Sequence, residues 1–176
     1  MPANYEIMST TFEFRPAKDT DTARIWEIIL QAKAQMLRQN KQQWDETYPA
    51  PQNITNDIDQ GYAYVLCHKN IPIAYGAVVF DGEPAYECIE GEWLSVQSYV
   101  VVHRLAVADE MKQQGIATLF MQKVELLALE KGVHSFKVDT NFDNFYMHKM
   151  LDRLGFTHCG EVIYKRGSRM AYEKLL

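Results

Sequence analysis

The sequence of 176 residues has few cysteines, no long hydrophobic run and no excess of positive charge. Its cysteines, Cys67, Cys88 and Cys159, are odd in number and too widely spaced for a zinc knuckle, so we expect free thiols. No apolar run approaches the roughly 20 residues that cross a bilayer. The N-terminus, with Asn4 and Glu6, lacks a basic region followed by an apolar core. We therefore expect a cytoplasmic protein without a membrane partner.

The balance of charge excludes a further class of protein. The chain has 18 Lys and Arg against 23 Asp and Glu, which gives a formal net charge of −5. A general nucleic-acid binder needs a basic face that neutralises phosphates, so we expect no nucleic-acid partner, although a local phosphate site is still compatible with this charge. A hydrophobic content of 47% in 176 residues predicts one globular domain over residues 1–176.

Hydrophobic patterning predicts a mixed order of strands and helices. We expect strands near residues 11–15, 62–68, 73–80, 99–107, 136–139, 157–164 and 169–174. We expect helices near residues 25–36, 55–60, 116–127 and 147–154, with Asp19 and Thr20 as caps of the first helix and residues 40–54 as an ordered loop. Antiparallel strands followed by alternating strands and helices indicate an α/β or α+β domain: a mixed, mostly antiparallel sheet with helices on both faces.

The most informative stretch runs from His103 to Ala117. A strand rich in valine leads through a polar loop to Gly115, which opens the clearest helix of the chain. A glycine turn at a helix start directs free N–H groups and the positive end of the helix dipole at one spot, and Lys112 adds a mobile positive charge. Taken alone, Lys112 to Ala117 is also compatible with a plain turn. The loop lacks the glycine and Gly-Lys-Ser/Thr pattern of a Walker loop, so we do not expect ATP hydrolysis.

Several features that occur in a fixed order indicate a family. They are the strand end Leu105, Ala106 and Val107, the loop sequence KQQGIA from Lys112, Asn144, and the pair Gly155 and Phe156. This set resembles the GNAT family of N-acetyltransferases and covers most of the chain, with its specific part between about His103 and Phe156.

The resemblance implies a GNAT-like fold and a binding site for acetyl coenzyme A. In the family, loop amides hold the pyrophosphate of the cofactor, and this places the following residues at the site: Lys112, Gln113, Gln114, Gly115, Ile116, Ala117 and Thr118. The backbone of Leu105, Ala106 and Val107 would bind the pantetheine arm, and Asn144 would contact the cofactor from the next helix. Lys112 departs from the Arg or Gln of the family, which keeps the charge of Arg but loses its guanidinium fork.

The implied reaction is direct transfer of the acetyl group from acetyl coenzyme A to a primary amine of a small molecule or peptide, including a protein N-terminus, without a metal. A non-catalytic acyl coenzyme A-binding or sensor module is the alternative. It is favoured by Leu151, because many relatives carry a tyrosine there that protonates the leaving thiolate. Tyr146 lies about 140° around a helix from Leu151 and is a poor substitute. The general acid is therefore unassigned, and a thiolate can also leave without one.

Two residues are candidates for the general base. A protonated amine must lose a proton to attack the thioester, and His103 is the first candidate because histidine titrates near neutral pH. Its two-residue spacing from Leu105 and Val107 predicts one shared face of a strand. Glu92 is the second candidate. A structural histidine and a solvated glutamate are the alternatives, and Arg104, on the opposite face, would make an ion pair or an oligomer contact.

Aromatic residues predict the acceptor pocket. Trp44 and Trp93 are candidates for contact with an apolar or aromatic acceptor, although aromatic side chains of this kind also occur in hydrophobic cores. The pattern is compatible with a homodimer.

Overall fold

The structure is a computed structural model that describes residues 11–176. The prediction drawn from Asn4 and Glu6 concerns residues outside this range. The strands of the described chain are β1 (Phe12–Pro16), β2 (Ala63–His68), β3 (Ile71–Val79), β4 (Glu90–Gly91), β5 (Val100–Val107), β6 (Ser135–Thr140), β7 (Thr157–Tyr164) and β8 (Gly167–Leu175). Its α-helices are α1 (Thr22–Arg38), α2 (Pro51–Asp59), α3 (Ile116–Glu130) and α4 (Phe145–Arg153).

The eight strands belong to one sheet with the order β1-β2-β3-β5-β6-β8-β7-β4. Strands β5 and β6 are parallel, and their register joins Val100 to Phe136 and Val101 to Lys137. The pairs β1–β2, β2–β3, β4–β7, β6–β8 and β7–β8 are antiparallel. The mixed, mostly antiparallel sheet predicted from the sequence is therefore confirmed.

The chain divides into two compact units. Among the described residues, the first unit comprises residues 11–77 and 104–120. The second unit comprises Val78–His103 and Met121–Leu176. Each unit has its own buried cluster of side chains. The single domain over residues 1–176 stays a prediction.

The core of the first unit forms around α1. Ile25, Ile28 and Ile29 are fully buried, and their spacing of three and four residues puts them on one helical face. They belong to a cluster that includes alternate residues of β2, such as Val65 and Cys67, as expected for one face of a strand. Each element buries one face, so the hydrophobic spacing in the sequence predicts a helix for α1 and a strand for β2.

The predicted caps of α1 are wrong. Asp19 and Thr20 lie in a 3₁₀ turn, and the helix begins one residue after Asp21. The Asp21 carboxylate does not cap the helix; it accepts two hydrogen bonds from Arg15, at 2.7 and 3.0 Å, and one from the Lys18 N–H at 2.8 Å. An ion pair to a neighbouring strand thus replaces a local cap.

Helix α2 begins earlier than the sequence pattern predicted, at Pro51 rather than Thr55. Proline suits the first helical position because its φ is preset and its missing N–H would have no partner there. The Asn53 side chain accepts the Ala50 N–H at 2.7 Å and so closes the helix start. The ordered loop therefore ends at Ala50, before the predicted residue 54.

The second unit contains a short strand that the sequence did not predict. Strand β4 has two residues and pairs Gly91 with Gly160 of β7. A Cβ at Gly91 would lie 2.2 Å from the Cys159 carbonyl oxygen, so this close approach of two backbones requires glycine. A strand of two residues has no hydrophobic period, which explains why the pattern missed it.

Candidate active site

The loop before α3 contains two residues in the left-handed backbone region. Gln113 has a φ of 61° and Gly115 a φ of 74°. A 3₁₀ turn over Asp109–Met111 precedes them, and α3 begins at Ile116. Left-handed residues that alternate with right-handed ones turn successive N–H groups toward one side and form a concave backbone for anions. Gln113 and Gly115 supply the left-handed positions that such a concavity needs.

The first turn of α3 supplies further donors. The Leu119 N–H is bonded to the Gly115 carbonyl at 2.9 Å. The N–H groups of Ile116, Ala117 and Thr118 precede this bond and have no acceptor within the helix. Because the helix dipole adds positive potential at the same end, a phosphate is the group that these amides suit best.

The space beside Gly115 is open. A Cβ built at this residue would meet no heavy atom within 4 Å outside its immediate neighbours. The residue is also exposed, so a ligand can approach the backbone from this side. The loop residues therefore fit the pyrophosphate of acetyl coenzyme A, which the resemblance implied for them.

Lys112 is held in place and is not a mobile charge, as the sequence had suggested. Its ammonium lies 2.5 Å from the Asp109 carboxylate and also donates to the Gln35 side chain. The carboxylate offsets part of the positive charge at the rim of the loop. Contact between Lys112 and a phosphate stays a prediction.

Strand β5 is irregular at Arg104, which has a φ of 57°. The predicted common face of His103, Leu105 and Val107 assumed a regular alternation, and a left-handed residue between them interrupts it. The alternation that the prediction assumed is therefore interrupted at Arg104, and the shared face itself stays a prediction. Beyond the strand, the Ala108 N–H bonds to the Ile73 carbonyl at 2.8 Å, so the strand end stays attached to β3 within the first unit.

His103 pairs with a carboxylate that sequence reasoning missed. Its Nε2 lies 3.2 Å from Glu83 Oε2, and the two side chains are 21% and 20% exposed. The other Glu83 oxygen accepts the Ala85 N–H at 3.2 Å, and the Glu83 N–H donates to the Tyr99 hydroxyl at 3.0 Å. A Glu before Pro84 is a weak signal of a helix cap, and it says nothing about a distant histidine.

The two predicted acceptor tryptophans lie in different surroundings. Trp44 is 6% exposed and belongs to the core cluster of the first unit. Trp93 is half-buried in the second unit, where its indole N–H donates to the Tyr86 carbonyl at 2.9 Å. The packing of Trp44 is that of a core residue, so Trp93 is the better placed of the two for contact with an acceptor.

Trp93 shares its surroundings with a buried lysine. The Lys137 ammonium lies 4.3 Å from the centre of the Trp93 ring and 4.2 Å from that of Tyr99. Burial lowers the pKa of Lys137, although the negative charge of Glu173 opposes this shift. Cation–π contacts with two rings stabilise the ammonium and fix the position of both aromatic side chains.

The segment around Trp93 is also anchored by Glu173, which is fully buried. The Glu173 carboxylate accepts the Leu94 N–H at 2.6 Å and the hydroxyl of Ser95 at 2.5 Å. It also accepts the hydroxyl of Ser135 at 2.7 Å. A buried carboxylate with several donors is satisfied, and here it holds the segment against β6 and β8.

Two tyrosines of the second unit, one buried and one half-buried, share one carboxylate. Tyr86 and Tyr164 donate their hydroxyl protons to Asp139 at 2.6 and 2.8 Å. Burial, together with the negative charge of Asp139, raises the pKa of both phenols. Both hydroxyl groups therefore remain protonated donors at neutral pH.

The remaining predicted residues of the second unit are placed as follows. Glu92 is exposed, and its N–H bonds to the Cys159 carbonyl at 3.0 Å. Asn144 caps α4, since its side-chain oxygen accepts the Met147 N–H at 3.3 Å. Leu151 is fully buried and Tyr146 is 53% exposed, so the two side chains lie on different faces of the same helix. A cofactor contact of Asn144 stays a prediction.

The predicted residues thus fall into two groups. The first unit contains Trp44 and all of the predicted cofactor residues of β5 and the loop, whereas the second unit contains His103, Glu92, Trp93 and Asn144. Within residues 11–176 no group of three or more His, Cys, Asp or Glu side chains could hold a metal ion. None of the helices in that range is long and apolar enough to cross a membrane.

Comparisons with known proteins identify the family of the chain. The sequence model of the acetyltransferase (GNAT) family matches residues 21–156, whereas no curated protein sequence matches the chain. A solved GNAT-family acetyltransferase from Streptococcus agalactiae is 31% identical, with a TM-score of 0.85 over 94% of this chain and 95% of its own. Another from Listeria monocytogenes is 20% identical, with a TM-score of 0.75 over the same shares of the two chains. The chain therefore belongs to the GNAT family and is an acetyl coenzyme A-dependent acetyltransferase.

Proposed function

We propose that the enzyme transfers the acetyl group directly to a primary amine of a small molecule or peptide, with His103 as the general base. Acetyl coenzyme A supplies the acetyl group as a thioester. The observation that carries the proposal is the geometry of the loop: the left-handed Gly115, the open space beside it and the helix amides that follow. This geometry suits the pyrophosphate of the cofactor in a chain that belongs to the GNAT family.

The backbone of Leu105, Ala106 and Val107 would hold the pantetheine arm in the manner of an added strand. The Leu105 N–H is our candidate for the donor that stabilises negative charge on the acyl oxygen. Asn144 is proposed to contact the cofactor from the start of α4, where it already acts as a cap.

His103 acts on the acceptor amine. If Glu83 accepts the Nε2–H, then Nδ1 carries the free electron pair and takes a proton from the amine. The amine nitrogen forms a bond to the acyl carbon, and the electron pair of the carbonyl double bond moves to the acyl oxygen. When the carbonyl re-forms, the bond from that carbon to sulfur breaks and its electron pair leaves with the thiolate. Leu151 has no proton to give, so we propose that the thiolate leaves without a side-chain acid or with a proton from water.

Trp93 is our candidate for the wall of the acceptor pocket, because the contacts with Tyr86 and Lys137 hold its ring in place. We propose that the reaction needs no metal and no nucleic-acid partner. We also propose a cytoplasmic location, which the usage of cysteine in the sequence supports. A homodimer is compatible with the proposal.

The role of His103 is tested by His103→Ala, compared with Glu92→Gln. If His103 is the base, the first variant lowers kcat by roughly 10²- to 10⁴-fold, the usual contribution of general acid–base catalysis, and leaves acetyl coenzyme A affinity within about twofold. The second variant then retains wild-type turnover. A large loss in Glu92→Gln with little loss in His103→Ala would move the base to Glu92.

A further inference from the structure

Arg104 adopts a backbone conformation that its residue type disfavours. Its φ of 57° lies in the left-handed region, where a side chain with a Cβ meets steric strain. Such a residue persists inside a strand only where its surroundings hold it, and it is most often found at a functional site. Arg104 directly precedes Leu105–Val107, the backbone that we propose for the pantetheine arm.

The Arg104 side chain is fixed by a network within the first unit. Its Nε and Nη2 donate to the two oxygens of the Asp57 carboxylate at 3.0 and 2.6 Å. Its Nη1 donates to the Tyr48 hydroxyl at 2.9 Å. The Tyr75 hydroxyl also donates to Asp57. A planar guanidinium that binds a carboxylate through two parallel bonds has one fixed orientation, which an ammonium does not provide.

The network is buried, so its parts depend on one another. The side chains of Arg104 and Asp57 are 15% and 5% exposed, and Tyr75 is fully buried. Removal of either charged side chain would leave the charge of the other buried and unpaired. Burial, with the negative charge of Asp57, raises the pKa of Tyr75, so its hydroxyl stays a donor at neutral pH.

We propose that Arg104 is a positioning residue: its paired bonds to Asp57 of α2 hold the left-handed turn that sets the direction of Leu105–Val107. This inference rests on the proposed function, because it assigns a purpose to that backbone segment. The pair joins residues that are 47 positions apart in the sequence, so one contact fixes the tip of β5 against α2. Asp57 and Arg104 lie outside the proposed phosphate loop, so this role is separate from phosphate binding.

The test compares Arg104→Lys with Arg15→Lys. Arg15 makes an equivalent pair of bonds to Asp21 in the same unit, but from β1, so it reproduces the loss of a two-bond ion pair. Hydrogen exchange of the Leu105–Val107 amides is measured on the cofactor-free protein, and coenzyme A binding is measured by calorimetry. We expect faster exchange and a Kd raised roughly 10- to 100-fold in Arg104→Lys, as for small misplacements of binding groups, and neither change in Arg15→Lys.

A second pair of variants separates backbone strain from general destabilisation. Arg104→Gly and Arg104→Ala both lose the bonds to Asp57, but only glycine accepts the left-handed conformation without strain. We expect the Kd for coenzyme A to rise in both variants and to rise further in Arg104→Ala.

Three results would overturn the role of Arg104. They are unchanged exchange in Arg104→Lys, equal effects of the two lysine variants, and changed exchange with wild-type coenzyme A affinity. A failure of the proposed phosphate loop is distinguishable, because it would appear as normal coenzyme A binding by Gly115→Glu. The exchange measurement on cofactor-free protein does not depend on that result.

Discussion

His103 Nε2 lies 3.2 Å from the Oε2 atom of Glu83, and both side chains are about one-fifth exposed. The Glu83 carboxylate is itself fixed, because its other oxygen accepts the Ala85 N–H. If this carboxylate accepts the Nε2–H, it selects the proton position on the imidazole and leaves the other ring nitrogen as an acceptor. This relationship converts a histidine on a strand into an oriented candidate base.

Glu83→Gln tests this orientation. A glutamine side chain can donate as well as accept, so the Nε2 position no longer needs to carry the proton. We expect ¹⁵N chemical shifts of His103 to show a mixture of tautomers and kcat to fall at least about tenfold, as for other oriented histidine bases. The KM for acetyl coenzyme A should stay near that of the wild type.

Glu87→Gln is the matched control for Glu83→Gln, because Glu87 is an exposed glutamate in the short 3₁₀ helix Pro84–Cys88 that follows Glu83. It should leave the tautomer of His103 and the rate unchanged. An unaltered tautomer and a normal rate in Glu83→Gln would show that Glu83 does not orient His103.

Gly115→Glu tests the phosphate loop, with Gly61→Glu as its control. Both glycines are left-handed, with φ of 74° and 75°, and both have open space where a Cβ would lie. The two variants should therefore lose similar stability, about 1–2 kcal/mol for the left-handed conformation. Only Gly115→Glu should lose coenzyme A binding in calorimetry, since its carboxylate would repel phosphate at the helix start. Normal binding by a folded Gly115→Glu protein would refute the loop assignment.

Asp21→Asn tests a pH-dependent contribution to stability. Hydrogen bonds from Arg15 lower the pKa of Asp21, although burial opposes this shift. A carboxyl whose pKa is lower in the folded state stabilises the fold above its unfolded pKa, near 3.9, and loses this effect as the pH falls through the folded value. We expect Asp21→Asn to lower the free energy of unfolding by about 2 kcal/mol at neutral pH, measured by urea denaturation.

The stability difference between the wild type and Asp21→Asn should shrink as the pH falls below about 4, because the wild-type carboxyl then takes up a proton. Asp19→Asn, at an exposed neighbouring position, should have little effect at any pH. The free energy of unfolding of Asp21→Asn could instead stay below that of the wild type by the same amount down to acid pH. That result would show that Asp21 stabilises the fold by packing and not by its charge.

The sequence predicted what local patterns determine. The valines of β5, the stripe of α3 and Gly115 are each recognisable within a window of a few residues, and the fold class followed from their order. The partners of the site were not predictable in this way. Glu83 meets His103, and Asp57 meets Arg104 over 47 positions, only after the chain has folded. A left-handed arginine was equally hidden, since nothing in its residue type predicts that conformation.

We expect this acetyltransferase to act on a primary amine. The most direct measurement follows free thiol release from acetyl coenzyme A in the presence of a panel of small primary amines, N-terminal peptides and matched alcohols, with mass spectrometry of the products. We expect thiol release above the background hydrolysis rate with at least one amine, together with an N-acetylated product, and no release with the alcohols. Binding of acetyl coenzyme A without thiol release across the whole panel, as in a sensor module, or acetylation of the alcohols alone, would contradict the account.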